Sequence, residues 1–230
     1  MPFADTPDLA LPDAELIKLL ERVGKSSRVN LHIVSGRTKE TLDKWLGMLP
    51  IGLHAEHGFW SKSSRKETWQ PLFFDESTWK NKVKPILERV SLKAPGSLVE
   101  EKTAGLAWHY RRVEPELGNR HARILIRRLQ RVIVGLPVEI LEGEKVVEVR
   151  RKGVHKGIVL SRLFQNEAID GVAIVAIGDD QTDEDMFQAL PPQGFSIHIG
   201  LGKTIAKHRL KDVRECRQFL QQLYNGLDTN

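Results

Sequence analysis

The sequence predicts an α/β protein: a doubly wound parallel-sheet core over residues 1–70 and 150–230, with an α+β unit inserted over residues 71–149. Three observations predict it. Short apolar runs alternate with amphipathic stretches near both ends of the chain. The middle instead groups long helical patterns with hairpins. The polar clusters with chemical potential fall where an apolar run gives way to a helical pattern, the edge at which α/β sheets place their ligands.

Taken in order, residues 13–23 carry Leu16, Leu19, Leu20 and Val23 on one helical face. Residues 29–34 form an apolar run ending in Ser35-Gly36-Arg37, after which Thr38 is placed to cap a helix reaching about residue 48. Residues 51–55 read as a strand followed by Glu56-His57-Gly58. In the middle, residues 77–90 and 116–134 read as helices. Residues 97–102 with 105–110, and 138–141 with 145–149, read as hairpins. The first pattern resumes with a helix over 156–164, an apolar strand over 172–177, a helix from Thr182, a strand over 195–199 and a last helix over 213–224. A cleft between two such lobes is a common ligand site.

Composition limits the function classes. With 40% apolar and 28% charged residues the chain is neither fibrous nor disordered. Its longest apolar stretches are strand-sized, and the first residues lack the pattern of a secretory signal, so no membrane partner is expected. The single cysteine, Cys216, excludes an internal disulfide and fits a reducing, cytoplasmic compartment. The net charge of +5 permits an anionic partner. Arg123, Arg127, Arg128 and Arg131 cluster on one predicted helix, but no aromatic or glycine recognition pattern accompanies them. They read as a solvated face rather than a nucleic-acid site.

The strongest chemical signal runs from Gly178 to Phe187, Gly-Asp-Asp-Gln-Thr-Asp-Glu-Asp-Met-Phe, with five carboxylates in the seven positions from Asp179. Asp183, Glu184 and Asp185 suit the positive end of a helix capped by Thr182. Asp179 and Asp180 do not fit that account. Adjacent carboxylates at a strand end are suited to a hard cation, Mg²⁺ among the common ones. Ser35-Gly36-Arg37 reads either as a plain turn or as an anion cradle made of a hydroxyl, an accessible backbone and a helix start. Lys156 opens a helix against its dipole, a placement that a phosphate or a nearby carboxylate would compensate, although surface lysines are ordinary. Together these groups provide most of what Mg²⁺-assisted phosphoryl transfer requires. No nucleophile is evident, and the eight histidines show no metal-ligand spacing.

These strings, with Gly52–Trp60 (GLHAEHGFW), Glu100–Arg111 (EEKTAGLAWHYR) and Val146–Gly157 (VVEVRRKGVHKG), resemble the trehalose-6-phosphate phosphatases of the haloacid dehalogenase superfamily. The resemblance runs in order over nearly the whole chain. It implies a Rossmann-like core with an inserted α/β cap, and Mg²⁺-dependent hydrolysis of trehalose 6-phosphate through an aspartyl-phosphate. It further implies Asp179 as a Mg²⁺ ligand supported by Asp180, Ser35 as binder of the phosphoryl group, and Lys156 as its neutralising cation. Arg37, His57 and Gly58 would line the core side of the substrate site, with Glu100, Lys102 and Glu148 holding sugar hydroxyls in the cap. A trehalose-phosphate synthase, fused or separate, is the implied protein partner.

One departure is marked. Members of that family open with an apolar strand followed by Asp-x-Asp-Gly-Thr, supplying the nucleophile and the general acid. Here the sequence starts at Met1-Pro2 in loop-like sequence, and Asp5 and Asp8 match the segment that follows the motif. The expectation is a chain start displaced downstream of that strand, which would lie in the middle of the sheet. Two other readings stay open: a phosphatase-derived module that binds sugar phosphate or a synthase without turnover, and a related phosphatase with another sugar substrate.

Overall fold

A computed structural model describes residues 11–63, 67–74, 77–166 and 171–228. The Met1-Pro2 start, Asp5 and Asp8 lie outside the described residues. The described chain forms two compact units, one of residues 11–72 and 155–228, the other of residues 73–154.

In the first unit, helix α1 (Ala14–Lys25) is capped by the Asp13 carboxylate, which accepts the Leu16 N–H at 2.8 Å, and it buries Leu19, Leu20 and Val23. Strand β1 (His32–Val34) leads into the Ser35–Arg37 turn. Helix α2 (Lys39–Leu46) follows, capped by Thr38, whose hydroxyl accepts the Thr41 N–H. Strand β2 (Gly52–Ala55), buried at every position, pairs parallel with β1 in the register Val34 to His54. Strands β3 (Trp60–Lys62) and β4 (Gln70–Pro71) extend this sheet antiparallel. They belong to none of the elements expected from periodicity, since each is too short to show alternation.

The second unit begins with helix α3 (Lys80–Ser91), three residues later than the pattern suggests, because Ser77 adopts a left-handed φ of 52° that no helix admits. Strands β5 (Leu98–Glu101) and β6 (Gly105–His109) form an antiparallel hairpin. Helix α4 (Pro115–Val132) opens on a proline, with the Glu114 carboxylate accepting the N–H groups of Glu116 and Leu117 at 2.9 and 2.7 Å. Strands β7 (Val138–Gly143) and β8 (Val146–Arg151) complete a sheet of order β5-β6-β8-β7. One face of it is the core of the unit. Leu106, Trp108, Val147 and Val149, all nearly inaccessible, pack with Val83 and Leu87 of α3 and Leu125 and Leu129 of α4. Burial on this scale, roughly 1.5–3 kcal/mol per large side chain, drives the unit to fold.

The chain then re-enters the first unit through helix α5 (Gly157–Asn166) and strand β9 (Val175–Gly178). The apolar run from residue 172 pairs only from Val175, because its parallel partner starts at Phe195; Val172 and Val175 are 53% and 38% exposed. Helix α6 (Glu184–Gln188), strands β10 (Phe195–Ile199) and β11 (His208–Leu210), and helix α7 (Val213–Asp228) finish the unit. Arg217 of α7 returns to the Asp13 carboxylate.

Among the described residues, the strands of this unit fall in two sheets, β1-β2-β3-β4 and β11-β10-β9. Side-chain packing links them: Val34 at the end of β1 lies against the cluster of Leu160, Ala176, Met186 and Phe187.

Candidate active site

After β9 the chain turns into a short 3-10 segment, Gln181–Asp183, before α6. The cap of this turn is Asp180, not Thr182 as the sequence suggests. The Asp180 carboxylate accepts the Gln181 N–H at 2.6 Å, and Thr182 donates its hydroxyl to the same carboxylate. The helical turn therefore starts two residues early, and Asp183 moves from the helix surface to its inner side. Asp183 is 4% exposed. Its Oδ2 accepts the backbone N–H groups of both Asp179 and Asp180 at 3.0 Å, and its Oδ1 accepts from Lys156 Nζ at 2.7 Å. A Cβ at Gly178 would collide with the Asp183 side chain, so only glycine lets strand and carboxylate approach this closely.

Asp183 is the residue that sequence reasoning missed, taken for one of three helix-terminal acids. The available signal was Lys156: a buried lysine just ahead of a helix needs a carboxylate, and this is the one it has. Lys156 is 8% exposed, and such a charge is tolerated only when paired. Asp179 is placed differently. Its surface remains open to solvent, yet partial burial pushes its carboxyl above the usual range. The charge of Asp183 pushes the same way, opposed by Lys156. A carboxyl raised by burial and by a neighbouring anion is one that a cation would relieve.

The Ser35–Arg37 turn is tied by backbone hydrogen bonds to the turn after β2. Ser35 donates its N–H to His54 O, His57 donates to Ser35 O, and Glu56 donates to Arg37 O, each at 2.9 Å. Ser35 Oγ accepts the Arg37 N–H at 3.2 Å, which leaves its own proton available to donate. Glu56 and His57 both hold left-handed φ values, 49° and 59°, ahead of Gly58 at 96°. Two consecutive non-glycine residues in that region store strain of the kind that clusters at functional sites. The strain brings the buried His57 ring against Gly36, where a Cβ would sit 2.7 Å from Nε2. Gly58 meets Ile158 and Val159 at the start of α5, beside Lys156. Ser35, His57 and Gly58 thus reach the residues that flank Lys156, and Lys156 in turn is joined to Asp183 and Asp179. Arg37 stands somewhat apart, its guanidinium over the Trp45 ring of α2 at 4.6 Å.

Beneath this site His54 bridges His32 and Ser61. Its Nε2 lies 3.0 Å from His32 Nδ1, and its Nδ1 lies 2.8 Å from Ser61 Oγ. Burial, followed by the charges of His32 and Arg162, lowers the His54 pKa to about 3, so the ring is neutral in the folded protein at ordinary pH.

The second unit carries Glu100, Lys102 and Glu148. They share the face of the sheet opposite its apolar core, since Glu100 and Glu148 both stand opposite Ala107 of β6. Lys102 Nζ donates to Glu148 Oε1 at 3.0 Å, and the His109 ring lies 2.8 Å from Glu100 Oε2. Two carboxylates, an ammonium group and an imidazole around a small-residue floor can exchange several hydrogen bonds with a polyhydroxyl ligand.

A doubly wound α/β unit with an inserted α+β unit, and polar groups gathered at its strand ends, defines the haloacid dehalogenase class of fold. A haloacid dehalogenase-like hydrolase from Bacteroides thetaiotaomicron shares it at a TM-score of 0.62 and 14% identity, over 92% of each chain. Within that class the chain belongs to the trehalose-phosphatase family, whose profile matches residues 1–214. The C-terminal domain of Candida albicans trehalose-6-phosphate phosphatase superposes with a TM-score of 0.89 at 32% identity, covering 97% of this chain and 88% of that one. A bifunctional trehalose-6-phosphate synthase/phosphatase from Thermoproteus tenax is 40% identical over 223 residues, 97% of this chain and 30% of the relative. The chain thus spans less than a third of the length of this curated relative, and about a quarter of a Dictyostelium discoideum relative, the UDP-forming alpha,alpha-trehalose-phosphate synthase B. No described helix is long and apolar enough to cross a membrane.

Proposed function

We propose that this chain acts on trehalose 6-phosphate, as the phosphatase part of a trehalose-forming system. The observation that carries this reading is the buried Lys156–Asp183 pair set beside the open carboxylate of Asp179, in a chain of the trehalose-phosphatase family. The overall reaction breaks the phosphorus–oxygen ester bond, delivers a water oxygen to phosphorus, and returns a proton to the C6 oxygen of the sugar.

In this reading Ser35 donates its hydroxyl proton to a phosphoryl oxygen, and Lys156 sets a positive charge against the phosphoryl group. Asp183 orients Lys156 and is a positioning residue. Arg37, His57 and Gly58 shape the core side of the substrate site. Glu100, Lys102 and Glu148 bind the sugar hydroxyls, and residues 71–149 act as the substrate-recognition cap. Asp179, with Asp180 in support, would hold Mg²⁺, an ion that keeps most of its waters and needs only one or two protein carboxylates. The raised carboxyl of Asp179 fits that demand. When bound, the ion neutralises charge on the transferring group. The reading assigns no nucleophile among the described residues.

The similarity to a relative named as both synthase and phosphatase supports a trehalose-phosphate synthase as partner, fused or separate, and the single cysteine fits a reducing, cytoplasmic setting. The test is phosphate release from trehalose 6-phosphate with Mg²⁺, beside a panel of other sugar phosphates. Release confined to trehalose 6-phosphate and abolished by Asp179→Ala supports the reading; preference for another sugar refutes the substrate.

A second reading has its own observation. Glu100, Lys102 and Glu148 stand together on one sheet face, and Ser35 and Lys156 offer donors to an anion. A module that binds the sugar phosphate without turnover would need no more than this. Tight binding of trehalose 6-phosphate with no phosphate release would favour it.

A further inference from the structure

The polar face of the β5-β6-β8-β7 sheet contains a residue to which no role has been given. Strand register places Glu100 and Glu148 on either side of Ala107, and His109 follows two residues along β6, between Leu98 and Val146. Arg150 stands opposite Gly105 at the other end and donates to Glu139 of β7 at 2.8 Å. The floor is therefore Gly105 and Ala107. A Cβ at Gly105 would sit 3.1 Å from Glu148 Oε1, so the glycine keeps that carboxylate low over the sheet.

The two carboxylates are not held alike. Glu148 is paired with Lys102. Glu100 has its contact with His109, through Oε2, while its Oε1 accepts no hydrogen bond from the described residues. Side chains of glutamate have three rotatable bonds, and holding one in place costs entropy unless a partner fixes it. We propose that His109 is a positioning residue, which by donating from Nε2 to one oxygen of Glu100 fixes the carboxylate so that Oε1 faces the Ala107 floor and accepts a sugar hydroxyl.

This rests on the reading of the polar face as the sugar site. The Glu100 environment agrees with it. Burial alone would raise the carboxyl, but the His109 hydrogen bond and the Lys102 charge outweigh it, and Glu100 stays ionised and acceptor-only. A neutral His109 protonated on Nε2 and a charged His109 both donate the bond. Glu100 of β5 is the charged group in contact with the imidazole, with Glu148 of β8 and Lys102, which follows β5, farther along the same sheet face.

The test is calorimetric binding of trehalose 6-phosphate, trehalose and inorganic phosphate to the full chain and to His109→Leu, His109→Gln, His109→Asn, Glu100→Gln and Glu148→Gln. The expected result is that His109→Leu weakens trehalose and trehalose 6-phosphate about tenfold, the scale of one charge-assisted hydrogen bond. Inorganic phosphate binding stays unchanged. The longer amide of His109→Gln restores affinity to within about threefold, and the shorter amide of His109→Asn does not. The inference is overturned if the leucine and asparagine variants bind the sugar within twofold of wild type while Glu100→Gln weakens it. If Glu100→Gln and Glu148→Gln both bind normally, the sugar-site reading itself fails.

Discussion

Two buried lysine–carboxylate pairs among the described residues, one in each unit, have similar lengths and exposures but different scaffolds. Lys156–Asp183 is 2.7 Å long and Lys102–Glu148 is 3.0 Å. In the first, the carboxylate also accepts two backbone N–H groups at the end of β9, and a glycine makes the approach possible. In the second, Lys102 directly follows β5 and donates its backbone N–H to Gly105 O, while Glu148 stands on β8 opposite Ala107, so the flanking strands bring them together. One pair is part of the chain's path; the other is mounted on a sheet that would form without it. The first is therefore a structural and a chemical element at once, whereas the second has a chance of being separable from folding.

Double substitution gives the sharpest test of that difference, and the largest effect. Asp183→Leu alone should destabilise the protein by about 3–5 kcal/mol, since it strands a buried ammonium. Adding Lys156→Met should restore only part of the loss, because the N–H groups of Asp179 and Asp180 still lack their acceptor. Urea denaturation measures both; full recovery in the double variant would break the comparison. In the second unit, Lys102→Met should cost roughly 3 kcal/mol, and Lys102→Met with Glu148→Leu should return to within about 1 kcal/mol of wild type. That double variant should fold normally and lose trehalose binding. If it stays as unstable as the single variant, the Lys102–Glu148 pair is also structural.

A smaller effect concerns the histidines under the core site. The His54 pKa is about 3 in the folded protein and near 6.5 when unfolded. As pH falls below about 6.5 the unfolded chain takes up a proton that the folded one refuses, and stability drops until the pH passes the folded value near 3. Between pH 7 and pH 5 the loss should be roughly 2 kcal/mol, and His54→Asn should flatten it. Denaturant midpoints across that range decide the matter; an unchanged slope in the variant would exclude His54 as its source. The smallest expected effect is metal stabilisation. Magnesium at ten times its Kd should stabilise the wild type by about 1.4 kcal/mol, and Asp179→Asn should abolish the gain. Equal stabilisation of both proteins would place the ion elsewhere.

Much of this was legible in the sequence, for identifiable reasons. The long amphipathic patterns of α1, α4 and α7 exceed one helical turn many times over and declare themselves. Thr38 was recognisable as a cap because a helical pattern follows it directly. What escaped was decided by contacts distant in sequence. Whether Asp180 or Thr182 caps its turn depends on where Asp183 must go, and that depends on Lys156, 27 residues earlier. The late start of β9 is set by its partner at Phe195, not by its own apolar run. In the site, Ser35, Lys156 and Asp179 stood out as polar groups at strand ends. Asp183 did not, since its neighbours in sequence offered an adequate local explanation.

The split of the core strands has a consequence for motion. Hydrogen bonds make a sheet a cooperative object, and here the described strands form two such objects joined by the side chains around Val34 and Ala176. Opening one need not break a single backbone bond of the other. Amide exchange should therefore report two protection blocks, β1 with β2 and β9 with β10, each responding separately to changes on its own side. Ser35 directly follows the first block and Asp179 the second, so each should show the protection of its own sheet.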